Sequence, residues 1–398
     1  MSLPDAEVIV VGGGPAGAAT AAHLARGGRD VLLLEKGAFP RQKPCGEYYS
    51  PGVADTLARL GALDRVLSEE HELLGGMRVS AGGSAFMLSY PEGQGLRRAL
   101  GVKRYHLDRA LLDHARSCGV CVEERVGVAG TALEGGRVAG VRLRGASGEE
   151  VLRSRFVVGA DGRHSKVARS LGLVLPVRWP RRLGLHAHYV GAVGRLDGLG
   201  EMHVGEGAYC GLAPVGGNLV VAGLVSSMGE KPSGEPAARF FDRKLGYVPG
   251  AARRLEGARR IGPVRGVGPL AHRVSRSVGP GYLLVGDAAG YLDPFTGEGV
   301  HRALRGAELA AEAIENALRA GSALPTGYQK AREHVFADKE RLTLLIQCLL
   351  GSPRVLAYAL GRLEKRNHQA GRIKGALGDY RPAGPAIRPS YLLSLLRP

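Results

Sequence analysis

Three glycines, Gly12, Gly14 and Gly17, sit in the stretch "VIVVGGGPAGAATAAHLARGGRDVLLLEK", which runs from Val8 to Lys36 and closes on the acid Glu35. Their spacing suits a strand-to-helix turn that receives a pyrophosphate. Gly12 permits the tight turn, Gly14 lets the phosphates approach the backbone, and Gly17 lets helix and strand pack closely. Pro15 and Ala16 open the helix, whose free N–H groups and positive dipole end would face the anion. Glu35, ending the second strand beside Lys36, can accept both ribose hydroxyls of an adenosine. A dinucleotide site follows; the glycines alone do not say which dinucleotide.

Two further stretches carry chemistry. "FVVGADGRHSKVARSLG" puts Asp161 and Gly162 straight after an apolar run, and "GYLLVGDAAGYLDPFTGEGVHRALRGAELAAE" puts Gly286 and Asp287 after another. An Asp at a strand end can hold a sugar-like hydroxyl. Pro294 and the Gly297-Glu298-Gly299 turn then open a long helix, so N–H groups can be aimed at developing negative charge. Cys45, Glu298 and His301 are candidate catalytic groups. His186 and His188 share one face of the strand "LHAHYV" and are candidates to line a substrate cavity, a satisfied pair within the sheet being the plainer expectation. Cys118 and Cys121 have CxxC spacing without a second pair and read as structural thiols. No metal-ligating constellation is expected.

Elements must position these residues. Val8–Val11 and Val31–Leu34 are unbroken apolar runs, suited to strands buried on both faces. Ala16–Arg26 has helix-forming composition and stops at Gly27-Gly28. The region around 183–225 is strand-rich, and from about Gly299 the pattern turns helical. The expected fold class is therefore α/β. A dinucleotide-binding domain is assembled from residues 1–75, 101–175 and 276–325. A β-rich substrate domain is inserted from 76–100 and 176–275, and 326–398 form a helical C-terminal region. At 398 residues the chain can bury a full core. The dinucleotide strand begins at once after Met1–Asp5, so no signal peptide is expected, and five cysteines without a disulfide framework suit a reducing cytoplasm.

The chain carries 54 Lys and Arg against 37 Asp and Glu, a net charge of +17, yet aromatics are only 5% and none interleave with a basic stretch. Nucleic acid is therefore not the expected partner. The basic excess over 351–398 suits a solvated face, peripheral contact with an anionic membrane, or an acidic carrier protein.

The three motifs together, in this order, resemble the FAD-dependent flavoprotein monooxygenase superfamily, whose FAD-binding domain is Rossmann-like, as in para-hydroxybenzoate hydroxylase. The resemblance implies that Gly12, Gly14 and Gly17 hold the FAD pyrophosphate and Glu35 the adenosine ribose. It further implies that Arg104 reaches the phosphate region and that Asp161 and Gly162 touch FAD and a transient NADPH or NADH. Asp287 would hold the ribityl chain, with Gly297 and Gly299 against the isoalloxazine. "KPCGEYYSPG", with Cys45 and Gly46, resembles the Cys-Gly-Glu loop of the geranylgeranyl reductase-like branch, and Gly290 fits that branch too. Its Tyr-x-Trp-x-Phe-Pro substrate motif is matched by "YCGLAP": Tyr209 and Pro214 fit, but Gly211 and Ala213 replace the large aromatics. Smaller side chains there imply a wider pocket, which tips the expectation toward an NAD(P)H-dependent monooxygenase acting on a hydrophobic aromatic or polyketide-like substrate. The Cys-Gly-Glu loop and Gly290 favour the alternative, reduction of carbon–carbon double bonds. A non-catalytic FAD-binding or electron-relay protein is the alternative of another class. Trp179, the lone tryptophan, is expected to anchor the core or a domain boundary, and the C-terminal helices to roof the substrate cavity.

Overall fold

The computed structural model describes residues 5–90, 98–145, 148–192, 194 and 196–397. The segment 91–97, which the sequence assigns to the substrate domain, and Met1–Pro4 lie outside the described residues.

The apolar run Val8–Val11 becomes the middle of a six-stranded sheet ordered 278–279, 282–284, 156–159, 8–11, 31–35 and 121–124. Pairing is parallel throughout except at the 278–279 edge. Side chains alternate across such a strand, and both faces are covered. Val8, Val10, Val31 and Leu33 pack with the helices Pro15–Arg26, Arg104–Ser117 and Gly299–Arg319. Ile9, Val11, Leu32 and Leu34 pack against Val138, Val141, Leu143 and Leu152 of a three-stranded sheet. That is why the strands read as continuous apolar runs.

A seven-stranded sheet, ordered 259–267, 182–190, 219–227, 208–214, 200–204, 76–81 and 84–89, stands beside this core. Gly76–Ala81 thus joins strands that lie more than a hundred residues away, pairing in parallel with Gly200–Val204. One face of the sheet is sealed by Phe240 and Phe241. The other carries Met202, Tyr209 and Val225, which pack with Phe295 after the Pro294 turn and with Leu350, Leu356 and Leu360 of the C-terminal helices. These helices therefore stand one layer behind the cavity wall and do not themselves roof the cavity, because Tyr209, Phe295 and Met202 fill the intervening layer. Trp179 is no core anchor: it is 54% exposed. No described helix is long and apolar enough to cross a membrane.

Candidate functional site

The glycine turn is built for close approach. Gly12 has φ +103, and a Cβ there would lie 2.7 Å from the Ala160 carbonyl oxygen; a Cβ on Gly17 would lie 1.8 Å from the Gly12 oxygen. Both positions are closed by the protein's own backbone. Gly14 differs, since a Cβ there would meet only an Arg41 nitrogen at 3.7 Å. It caps the helix Pro15–Arg26 with no side-chain hydrogen bond and no acid in the first turn. An open backbone, a bare helix N-terminus and a neighbouring guanidinium are what a diphosphate needs.

Glu35 is buried at the sheet end, where its carboxylate accepts the Gly13 and Gly37 N–H groups at 2.8 and 2.9 Å. Oε1 keeps further acceptor capacity for a ribose hydroxyl, whereas Oε2 also accepts from Arg41 at 3.3 Å. Lys36 is exposed beyond it. Arg104 points its guanidinium into a bidentate pair with buried Asp108, at 2.7 and 2.8 Å, at the cavity edge. Arg41, which the sequence reading missed, links Glu35 at 3.3 Å to Asp108 at 3.5 Å.

From this turn one continuous cavity of about 1440 Å³, mouth included, runs between the two sheets. Gly14, Pro15 and Ala16 line one end, Gly162, Asp287, Pro294, Gly297 and Gly299 the middle, and Tyr209, Gly211 and Ala213 the far wall. Asp161 stands behind Gly162, where its Oδ2 accepts the Lys166 N–H at 2.6 Å and caps a helix, while its Oδ1 is buried without a partner. Gly286, at φ +60, would press a Cβ to 2.8 Å from Ala16, so only glycine lets the Asp287 turn reach the glycine-rich helix. Gly297, at φ +67, lies against the Tyr48 ring, 2.9 Å from a notional Cβ. The residues present therefore fit FAD: an open diphosphate cradle at Gly14, the Asp287 carboxylate and a glycine-edged slot at Gly297 and Gly299 line one cavity.

Cys45 and Gly46 bring the Cys-Gly-Glu loop into the same cavity. The thiol accepts the Glu47 N–H at 3.3 Å, and burial pushes its pKa up, so it stays protonated near neutrality. Glu47 itself takes φ +50, an uncommon conformation for this residue type. Lys43, also missed in the sequence, lines the cavity with its ammonium beside Gly162; burial lowers its pKa, with Arg104 adding to the effect. No motif spacing marks Lys43 or Arg41; only the folded loop brings them to the glycines.

The other candidates separate. Glu298 and His301 do not line the cavity. Both belong to a buried ionic cluster behind the flavin-side turn: Lys339 lies 2.7 Å from Asp379 and 3.4 Å from Glu298, and His301 lies 3.7 Å from Asp379. Asp379 also accepts the Ser50 hydroxyl at 2.5 Å, tying the C-terminal helices to the Cys45 loop region. Their catalytic candidacy is corrected to a supporting position. His186 and His188 are not a satisfied sheet pair. His186 lines the cavity with neither ring nitrogen hydrogen-bonded, whereas His188 meets Glu47 at 2.6 Å beside a second, smaller pocket. Tyr209 donates to Asp293 at 2.5 Å and stacks edge-on against Phe295. Pro214 does not line the cavity; its carbonyl packs against Gly101 instead. The room expected at Gly211 is partly taken by Met202, whose terminal carbon would lie 3.2 Å from a Cβ there.

Comparison with known proteins agrees with this geometry. Residues 5–181 match the family model described as "FAD binding domain". The chain is 33% identical over 346 residues to digeranylgeranylglycerophospholipid reductase 1 of Methanopyrus kandleri, covering 83% of this chain and 87% of that protein. It is 31% identical over 335 residues to menaquinone reductase of Mycobacterium tuberculosis, covering 79% and 78%. The solved structure of a geranylgeranyl bacteriochlorophyll reductase-like protein from Thermoplasma acidophilum superposes with a TM-score of 0.77 at 21% identity, over 99% of this chain and 96% of that one. With this kinship and an FAD-shaped cavity, the chain belongs to the geranylgeranyl reductase-like branch of the FAD-dependent flavoprotein monooxygenase superfamily and is an FAD-dependent oxidoreductase.

Proposed function

We propose that this chain reduces carbon–carbon double bonds in a hydrophobic, isoprenoid-type lipid. The observation that carries the reading is the Cys45-Gly46 loop, which lines the same cavity as the Gly297 and Gly299 turn. Relatives of similar length named as reductases of a prenylated phospholipid and of menaquinone support it. Bound FAD would supply two-electron transfer. The chain's own residues would hold the diphosphate at Gly14, set the ring edge against Gly297 and Gly299, and keep water out with Tyr48, Tyr209 and Phe295. An NADPH or NADH donor would approach along Gly162, where Lys43 and Arg163 offer cations to its phosphates.

A lipid substrate implies entry from a membrane surface. Leu344, Leu345, Val355 and Tyr358 are 41–52% exposed around the turn between the helices Tyr328–Leu350 and Pro353–Lys365, with Arg354 and Lys365 exposed on the second helix. Their inner neighbours Leu350 and Leu356 pack on the cavity wall. This corner suits peripheral contact with an anionic bilayer.

Oxygen-dependent hydroxylation is a second reading, favoured by the small residues Gly211, Ala213 and Gly223 on the far wall. Met202, leaning over Gly211, narrows that space again. The test is anaerobic: chemically reduced holoprotein is mixed with a polyprenyl lipid and its absorbance followed. Recovery of the oxidised spectrum under argon supports reduction of the lipid; recovery only on admitting air, with an oxygen atom added to the lipid, supports hydroxylation.

A further inference from the structure

His186 is 2% exposed on the strand Arg182–Val190, lining the cavity together with Cys45, Gly46 and Gly223. Neither Nδ1 nor Nε2 makes a hydrogen bond of good geometry, although the Cys45 backbone lies close enough to favour the protonated ring. Leaving a buried polar group unpaired costs about 1–3 kcal/mol. An imidazole kept at that cost beside a cofactor cavity points to a partner that arrives with the substrate.

Two residues along, His188 lies on the same strand face, with ring centroids 5.5 Å apart. Its Nε2 is 2.6 Å from Glu47 Oε2, while Glu47 Oε1 accepts the Arg104 N–H at 3.0 Å. One ligating atom from each of His186, His188 and Glu47 falls within 4.8 Å of the others, a span that a single water bridges. His188 and Glu47, but not His186, line the second pocket with Gln42, Lys103 and His106. The row His186, His188, Glu47 therefore joins the inner cavity to the outer pocket.

We propose that His186 donates the proton that completes double-bond reduction, and that His188 and Glu47 return a proton to it from the outer pocket. The proposal rests on the reductase reading. Saturating one double bond adds two electrons and two protons: bound, reduced FAD would supply both electrons with one proton to one carbon, and a ring N–H of His186 supplies the second proton to the other. As one ring nitrogen of the neutral imidazole gives up its proton, the other takes one relayed from His188, so no imidazolate is formed; His188 is reprotonated from solvent in the outer pocket, and no other oxidant or reductant is involved. The charged and titratable groups around His186 are Glu47 and His188, with Arg265 on the neighbouring strand. The same three ligands suit a divalent cation less well, because both Glu47 oxygens are already engaged and the Arg265 guanidinium opposes further positive charge.

Holoprotein variants His186→Phe and His188→Asn test this. Reduction of the bound cofactor by its donor should stay within about twofold of wild type in both, while reoxidation by polyprenyl lipid falls about 100- to 1,000-fold in His186→Phe, the usual reach of a positioned acid. His188→Asn should lose less and recover with added imidazole. Independently of turnover, ¹⁵N-histidine spectra of the flavin-free protein should show His186 neutral at pH 7, and Glu47→Gln should shift its titration further toward acid. Lipid reduction at the wild-type rate by His186→Phe, or a titration indifferent to Glu47→Gln, overturns the proposal alone. Zinc held at one equivalent by wild type and lost in His186→Phe overturns it in favour of a metal site. No lipid reduction by wild type overturns the reductase reading and this proposal together.

Discussion

Gly14 and Gly17 belong to one motif, yet alanine should fail at the two positions for opposite reasons. Gly14 is in the extended region, φ −73, and its notional Cβ meets nothing nearer than 3.7 Å. Gly14→Ala gives up about 0.5–1 kcal/mol as an N-cap. It regains about 0.4–1 kcal/mol from the stiffer unfolded chain. The flavin-free protein should thus unfold within about 1 kcal/mol of wild type. The new methyl, however, stands where the diphosphate meets the backbone. Displacing it weakens one or two charge-assisted N–H bonds worth about 1.5–3 kcal/mol each, so FAD affinity should fall at least about tenfold. Gly17→Ala places its Cβ 1.8 Å from the Gly12 oxygen, so the backbone itself must move. Overpacking of this kind costs about 1–3 kcal/mol or more. Urea unfolding of the flavin-free protein measures the first quantity and calorimetric FAD titration the second. Wild-type FAD affinity in Gly14→Ala would show that Gly14 does not face the diphosphate, and wild-type stability in Gly17→Ala that the Gly12–Gly17 approach is not tight.

Other consequences follow from burial and charge. Burial pushes the His186 imidazole down to about 4, so the unfolded chain binds the extra proton between its ordinary value near 6.5 and that point. Stability is full above about pH 6.5 and declines as pH falls toward 4, by about 3 kcal/mol from this group; His186→Phe should remove that portion of the acid slope in denaturation series. Burial works against ionised Asp379, but Lys339 and His301 outweigh it and hold its pKa low. Asp379→Asn should cost about 3–5 kcal/mol in urea unfolding by leaving the Lys339 ammonium poorly paired. Among the cysteines, exposed Cys121 and Cys348 should alkylate first and the protonated Cys45 slowly, as peptide mass mapping over time will show. Sedimentation with anionic vesicles should capture the protein, and Leu344→Ser with Tyr358→Ser should weaken capture at least tenfold; equal capture would exclude the helical corner.

The glycine turn, Glu35, and the Asp161 and Asp287 strand ends were readable in the chain because each depends on local geometry: a tight turn, a helix start, a buried strand. The role of Glu298 and His301 was not. Their neighbours Lys339 and Asp379 are supplied by distant C-terminal helices, and no local pattern announces a buried ion cluster. His186 and His188 could be placed on one strand face, but only the approach of the Cys45-Gly46-Glu47 loop decides that one faces the cavity and the other the outer pocket. The space at Gly211 was likewise misjudged from one strand, since Met202 comes from its neighbour.

On the proposed function, bound FAD would pass electrons to a lipid double bond in the cavity. Mass analysis of the product from reduced holoprotein and a polyprenyl lipid, under argon and under air, tests it most directly. The product should gain two hydrogen atoms per bond in both atmospheres. A product that forms only in air and carries an added oxygen atom would contradict it.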